Sequence, residues 1–283
     1  MNSSLLFVPA DSKRKFEKAM SSSANCLILD LEDSVAQEHK TAARQQVGGM
    51  LDHAQGLKPC FVRINPLNSS LAIEDLKAIM PHRPFGVVLP KCESKDDLIK
   101  LAHYLDVHEN LLELPNGSTQ ILIIATETAE SLFNMNQYAG ITKRLFGITW
   151  GAEDLCTDIG AMKNRSDFRY HEPFRLARSL CLFASAQAKV MAFDTVFVEI
   201  QDLEQLRLEA LEAKNDGFAG KMLIHPSHID IVNSVFSHDP TELAWAQEVV
   251  KLFESNPNAG SLQLNGKMID FPHLRLARKI LKL

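Results

Sequence analysis

The sequence predicts an α/β protein: a (β/α)8 TIM barrel followed by a C-terminal helical extension. Three observations point there. Eight short apolar runs recur along the chain, and helix-like sequence follows nearly every one. The runs are almost continuous in Val, Ile, Leu and Phe, as a parallel sheet buried on both faces requires. Each run also ends in a residue able to bind a metal, a carboxylate or a proton, which is how a barrel of this kind furnishes its mouth. Alternating strands and helices imply α/β, and eight strands imply closure. A chain of 283 residues fits one such barrel with a tail.

The elements follow in order. Ser3–Ala10 reads as the first strand, closed by Pro9, with Asp11 or Ser12 capping a helix from Lys13 to Met20. Leu27–Asp33 is the second strand, and a helix spans Glu38 to His53. Cys60–Asn65, stopped by Pro66, is the third, with a helical pattern from Ser70 to Met80. Gly86–Lys91 is the fourth; Ser94 caps a helix running toward Leu105. Pro115-Asn116-Gly117 is a strong turn signal. Thr119–Glu127 is the fifth strand, with a helix from Ala129 to Tyr138. Arg144–Gly151 is the sixth, Glu172 to Lys189 a helix, Asp194–Ile200 the seventh strand and Gly220–His225 the eighth. Ser227 caps a helix ending near Phe236. Beyond the barrel domain (1–236), the extension (237–283) holds a helix from Glu242 to Phe253, a polar loop Asn256–Gly266 and a last helix from Pro272 to Leu283. The barrel is complete without this tail, so the tail packs on it or on a neighbouring subunit.

Composition narrows the class. The net charge of −5 argues against nucleic-acid binding, which wants a basic face. The five cysteines are widely spaced with no CxxC pair, which reads as buried small residues in a reducing compartment. The first ten residues lack a basic n-region, and no apolar run reaches the length of a membrane helix. The expectation is a cytoplasmic protein with no membrane partner.

Glu127 ends the fifth strand and Asp154 lies just past the sixth, so they are expected to be neighbours at the mouth. Two hard carboxylates with room for waters and a substrate oxyanion suit Mg²⁺. Taken alone, Asp154 also fits a solvated loop carboxylate or a helix cap. Arg63 sits between Val62 and Ile64 in an apolar strand. Its guanidinium either binds carboxylate or enolate oxygens in a pocket or forms a structural ion pair with Asp30 or Glu32. Lys91 could play a similar part. The acids Asp30, Glu32 and Asp33 cannot all be buried unpaired, so some face the metal's water shell, Arg63 or Lys91. His225 reads as a satisfied histidine before a catalyst. Ser12, Lys13, Arg14 and Lys18 form a basic first turn and helix, either a solvated face or a contact for cofactor phosphates.

The segments FVPAD, ILDLEDSV, FVRIN, LPK, TETAESL, GAEDL, GFAGKMLIHPSH and GKMIDFP occur in this order over almost the whole chain. Together they resemble the citrate lyase β-subunit-like family, within the aldolase group of malyl-CoA and citramalyl-CoA lyases. The resemblance implies Arg63 as substrate and enolate ligand, Glu127 and Asp154 as Mg²⁺ ligands, and Asp270 as the acid/base carboxylate. It also implies a homo-oligomer, usually a trimer, in which the C-terminal segment reaches the active site of an adjacent subunit. Two features depart from the family: Ala10 stands where glycine is more frequent, and Val107–Ser118 is long, which bears on the pocket rim or subunit contacts.

The implied activity is Mg²⁺-dependent cleavage of a 3-hydroxyacyl-CoA thioester, citramalyl-CoA or malyl-CoA in type, to acetyl-CoA and a 2-oxo acid. Coenzyme A enters as part of the substrate. Replacing Arg63 by alanine is expected to abolish turnover with folding intact. One alternative is the β subunit of a citrate lyase acting on a citryl group held by an acyl carrier protein. Another is a non-catalytic barrel that binds a CoA ester, although a pure binder has no need of Arg63, Glu127, Asp154 and Asp270 together.

Overall fold

The computed structural model describes residues 3–282. Eight parallel strands close into a barrel: β1 (Ser4–Pro9), β2 (Cys26–Asp30), β3 (Cys60–Arg63), β4 (Gly86–Leu89), β5 (Gln120–Ile124), β6 (Leu145–Thr149), then β9 (Met191–Asp194) and β10 (Gly220–Leu223) after a short hairpin, β7–β8 (Arg165–Ser166 and Arg169–Tyr170). Strand β1 pairs with both β2 and β10, which shuts the ring. Helices surround the barrel or cap its loops: α1 (Lys13–Met20), α2 (Lys40–Ala54), α3 (Leu71–Ile79), α4 (Lys95–Leu111), α5 (Ala129–Phe133), α6 (Ala152–Asp158), α7 (Glu172–Ala188) and α8 (Leu203–Asp216), with α9 (Ile229–Phe236) following the last strand. Among the described residues no helix is long and apolar enough to cross a membrane.

Strand alternation explains how the site is built. Cys26 and Ile28 of β2 join the inner cluster with Phe61, Val88, Leu122, Ile124 and Phe193, whereas Leu27 and Leu29 pack outward under the helices. Side chains alternate with period two. The next inward positions are therefore Asp30 on β2 and Arg63 on β3, which the register sets side by side. Phe61, Phe146 and Phe193 fill the floor below them; Phe146 stacks on Phe193 with centroids 6.0 Å apart. A Cβ on Gly147 would lie 2.8 Å from the Phe193 ring, so glycine at this position is what admits that ring.

Several expectations change. The seventh barrel strand is Met191–Asp194 rather than Asp194–Ile200, because the apolar stretch after Asp194 is loop, anchored by buried Phe197 and leaving Val198 and Ile200 exposed. The helix after β5 ends at Phe133, and a 3-10 turn over Met135–Gln137 continues it. The eighth strand stops at Leu223, and His225, not Ser227, caps the turn that leads into α9. Helices α6 and α8 and the β7–β8 hairpin are additions to the sequence-predicted elements. Val107–Ser118 does not reach the pocket rim. It extends α4 to Leu111 and then turns beneath the N-terminal end of β5, opposite the mouth.

The chain divides into two compact units, Met1–Phe236 and Ser237–Leu283. The second unit holds α10 (Pro240–Glu254), an antiparallel hairpin of β11 (Ser261–Leu264) and β12 (Lys267–Asp270), and α11 (Phe271–Leu281). Ala246, Val249, Phe253, Ile269, Leu274 and Ala277 form its own core. The segment read as a polar loop is therefore half strand. Its signal is Asn265-Gly266, whose positive φ angles of 50° and 78° are those of a two-residue hairpin turn. The expected end of the last helix at Leu283 lies outside the described residues.

At the N-terminal face, Arg144 donates from Nη1 and Nη2 to Glu109 at 2.8 and 2.6 Å, and Glu109 also accepts from Gly117 and Thr119 amides at 2.8 Å each. Burial pushes the Glu109 carboxyl up, but Arg144 and the two amides outweigh it and lower it to about 2. A carboxyl lowered on folding contributes stability above its unfolded value near 4.3, and that contribution is lost as pH falls through the folded value. Glu109→Gln is expected to cost about 2 kcal/mol at pH 7. In urea titrations the gap from the parent protein should close between about pH 5 and 2; a gap that stays constant over that window would refute the assignment.

Candidate active site at the barrel mouth

The C-terminal ends of the strands carry a connected set of charges. Arg63 donates from Nε to Asp30 Oδ1 at 2.7 Å and from Nη2 to Oδ2 at 2.6 Å. Its Nη1 lies 3.1 Å from Glu32 Oε2, an oxygen that lacks a well-aligned hydrogen-bond partner. Its other face covers the Phe7 ring, 4.7 Å from the centroid. Asp30 is 1% exposed and accepts further bonds from the Glu32 and Ser34 amides at 3.0 and 3.1 Å. Burial acts to raise the Asp30 carboxyl, and Arg63 with these hydrogen bonds overrides it, holding Asp30 below its usual range. Burial likewise opposes the charge on Arg63, and Asp30 and Glu32 carry its pKa above the ordinary guanidinium value. Glu32 is raised, because burial exceeds what Arg63 and Lys91 return.

Lys91 links this pair to the rest. It follows β4 with a left-handed backbone, φ 50°, which turns its amide onto Glu127 Oε2. Its Nζ donates to Glu32 Oε1 at 2.6 Å and lies 3.5 Å from Asp154 Oδ1 and 3.9 Å from Asp33 Oδ2. Lys40, from α2, fixes the acidic loop from behind by donating to the Leu31 and Glu32 carbonyls at 2.9 Å each.

Glu127 is 3% exposed, and burial first, then the Asp154 charge, push its carboxyl up to about 8. Gly151 explains how the two loops fit. Its amide donates to Thr126 Oγ1 at 3.1 Å, and a Cβ there would lie 2.8 Å from Glu127 Cγ. Glu127, Asp154 and Arg63 border one cavity of about 80 Å³, whose wall includes Phe7, Trp150 and Met222. Trp150 is fixed by donating to Asp194 at 2.8 Å. Among the described residues no cluster of three or more His, Cys, Asp or Glu side chains could hold a metal. Glu127 and Asp154 line the cavity together, and two carboxylates are a set that would suit Mg²⁺, because that ion keeps several waters.

The structure thus brings together Asp30, Glu32, Arg63, Lys91, Glu127 and Asp154. Lys13 and Arg14 lie exposed in the first turn of α1, with Lys13 4.0 Å from Glu17. His225 is half-buried, and its Nδ1 lies 2.7 Å from Ser227 Oγ. Asp270 belongs to the second unit, where it caps α11 and its Oδ1 lies 2.6 Å from His273 Nδ1. Sequence reasoning missed Lys40, Thr126, Gly151 and Phe7. Only Thr126 and Gly151 carried a signal, as neighbours of the acids in TETAESL and GAEDL.

Comparison with known proteins places these residues in context. The model of the HpcH/HpaI aldolase/citrate lyase family matches residues 3–226. The chain is 32% identical to the citrate lyase subunit beta of Haemophilus influenzae over 284 residues, covering 99% of this chain and 95% of the relative. It is 30% identical to the mitochondrial citramalyl-CoA lyase of Rattus norvegicus over 294 residues, covering 99% and 85%. The protein CitE of Mycobacterium tuberculosis, in complex with magnesium, acetoacetate and coenzyme A, superposes with a TM-score of 0.81 at 32% identity, covering 99% of this chain and 97% of CitE.

Arg63→Ala does not leave folding untouched in this geometry, because it strands Asp30 buried without its cation. The expected cost is about 3–5 kcal/mol in denaturant unfolding. Asp30→Asn in the same chain should restore part of that loss, giving a coupling energy of about 1–3 kcal/mol in a double-mutant cycle. Additive effects of the two changes would contradict the pairing.

Proposed function

This chain belongs to the HpcH/HpaI aldolase/citrate lyase family, and from that premise we propose that it is a Mg²⁺-dependent carbon–carbon lyase. Its substrate is a 3-hydroxyacyl-CoA thioester of citramalyl-CoA or malyl-CoA type, cleaved to acetyl-CoA and a 2-oxo acid such as pyruvate or glyoxylate. The observation that carries the reading is the shared cavity of Glu127, Asp154 and Arg63 at the mouth of a closed barrel.

The residues fit the ion. Asp30, Glu32, Asp33, Glu127 and Asp154 outnumber the two cations Arg63 and Lys91, an excess of acidic groups that a divalent cation would offset. Glu127 is the member that burial and Asp154 penalise most, and it is one of the two carboxylates assigned to the ion. A bound Mg²⁺ would supply a Lewis acid and a template for the substrate's carboxylate and hydroxyl oxygens.

The remaining work falls to the chain's own groups. Asp270 is assigned as the base that takes the hydroxyl proton. As the carbon–carbon bond breaks, the alkoxide becomes the carbonyl of the 2-oxo acid and the bonding pair passes to the thioester as its enolate. Arg63 faces that developing charge with N–H groups not committed to Asp30. A proton delivered to the enolate carbon gives the acetyl thioester. Lys91 needs no covalent role, since it holds Glu127 through its amide and Glu32 through its ammonium. The exposed Lys13 and Arg14 are assigned to the phosphates of coenzyme A. The second unit is assigned to the active site of an adjacent subunit in a homo-oligomer, a trimer. Five unpaired cysteines support a cytoplasmic, reducing location.

The likeness to the Haemophilus influenzae protein favours one second reading, the β subunit of a citrate lyase that takes a citryl group from an acyl carrier protein and releases oxaloacetate. A panel of CoA thioesters with Mg²⁺, read separately for pyruvate, glyoxylate and oxaloacetate, distinguishes the two. Turnover of free CoA esters supports the first reading. Turnover confined to a carrier-bound thioester replaces it with the second, and none on either substrate sinks both.

Chelation with EDTA is expected to abolish turnover and excess Mg²⁺ to restore it. Glu127→Gln should lower kcat/KM by roughly 10³-fold, since the ion's charge stabilisation goes with it. Gly151→Ala, which crowds Glu127 without removing it, should weaken Mg²⁺ binding by about 10–100-fold in calorimetric titration. Full turnover in EDTA would be falsifying for the role of the ion.

A further inference from the structure

The second unit carries a pair of groups that the reaction scheme uses only in part. Asp270 is the last residue of β12 and the N-cap of α11, and His273 stands three residues on, one turn into the helix. The His273 Nδ1 lies 2.6 Å from Asp270 Oδ1, and the Asp270 amide donates to the same Nδ1 at 3.2 Å. At 2.6 Å a carboxylate oxygen and a ring nitrogen must hold a proton between them, because two bare lone pairs would repel. With the carboxylate ionised, Nδ1–H donates to it. With the carboxyl protonated, Nδ1 accepts from the carboxyl and from the amide. In either state the ring fixes which way the carboxyl group points.

We propose that His273 is a positioning residue for the acid/base carboxylate, fixing the direction in which Asp270 presents its oxygens. The inference rests on the assignment of Asp270 as the proton-transfer group. The side chain of His273 is 41% exposed and that of Asp270 33%, so the oriented carboxyl group stands open to a reacting group. His273 also borders a cavity of about 360 Å³ within the second unit, lined on other sides by Trp245 of α10, Asn265 and Lys267. Lys267, from β12, is the charged side chain in that lining; α10 presents the Trp245 ring. A histidine in a capping position could serve only to close the helix, as Glu or Gln does in the third position of other capping boxes. The carboxylate contact is what exceeds that role, since a cap needs only an acceptor for the N-terminal amide.

The test is the pH dependence of kcat/KM for the full chain with Mg²⁺ and its thioester, in the parent and in D270N, H273L, H273Q and H273N. In H273L, kcat is expected to fall about tenfold across the profile with KM nearly unchanged, because the carboxylate has lost the contact that orients it. H273Q, whose amide can donate to the carboxylate and accept from the backbone, should return kcat to within a few-fold of the parent. If leucine prevents folding, loss in H273N beside retention in H273Q supports the same conclusion, since asparagine withdraws the amide by one methylene. An H273L enzyme with the parent's kcat across the profile overturns the inference while a dead D270N leaves the base assignment standing. A D270N enzyme with near-normal turnover overturns the base assignment, and the role of His273 with it.

Discussion

The mouth of this barrel is organised around one buried guanidinium. Arg63 points inward because Phe61 does, and period two allows it no other direction. A cation taken that far from water needs an anion held to it, and Asp30 supplies one across the β2–β3 register. From that pair the other contacts follow. Glu32 is drawn in as a second acceptor, Lys91 balances Glu32, and the backbone turn that positions Lys91 also aims its amide at Glu127. The chain of contacts runs from strand two to the loop after strand six, so residues distant in sequence share one electrostatic problem.

Charge is used differently at the two ends of the barrel. At the N-terminal face Glu109 meets Arg144 twice and two amides besides, a closed arrangement that leaves the carboxylate well below its usual range. A second closed set lies behind β10, where fully buried Lys221 donates to Asp194 and Glu209 at 2.7 Å each. At the C-terminal face the charges do not balance in the same way: Glu127 is pushed up, Glu32 is raised, and one of its oxygens has no aligned donor. Closed networks read as stability, and the open one reads as a place for something else to bind, in keeping with where such barrels carry chemistry.

Much of this was legible in the sequence because burial and periodicity are local properties. Apolar runs ending in charge identified seven of the barrel strands closely, and Glu127, Asp154 and Arg63 were found as strand-end residues. The failures have physical reasons. The stretch VFVEI after Asp194 is apolar enough for a strand, but only Phe197 is buried, and the register had already been filled by Met191–Asp194. Asn265-Gly266 announced a hairpin that the polar residues around it disguised. Lys40 could not be found at all, since a lysine on a helix is normally solvated and only the tertiary fold puts two carbonyls beside it. Arg63 shows the limit of reading one residue at a time, because the structural pair and the ligand-facing role were weighed as alternatives, and a residue paired with Asp30 and Glu32 still borders the cavity.

That double role follows from the chemistry of guanidinium itself. Its five N–H groups radiate in a plane, so committing Nε and one Nη2 hydrogen to Asp30 locks the plane and still leaves donors at its edge. Lysine would not hold a plane in this way: its three donors share one nitrogen at the end of a flexible stem, free to turn with it. Under the proposed reaction, positive charge placed beside a transient enolate is kept from swinging onto the nearest permanent carboxylate when the cation is already bound on one side. Asp30 is that restraint, and the Phe7 ring on the other face keeps the plane from tilting. In the proposed reaction, the ion pair that looks purely structural is what would turn the outer edge of Arg63, beside Glu32, toward a substrate.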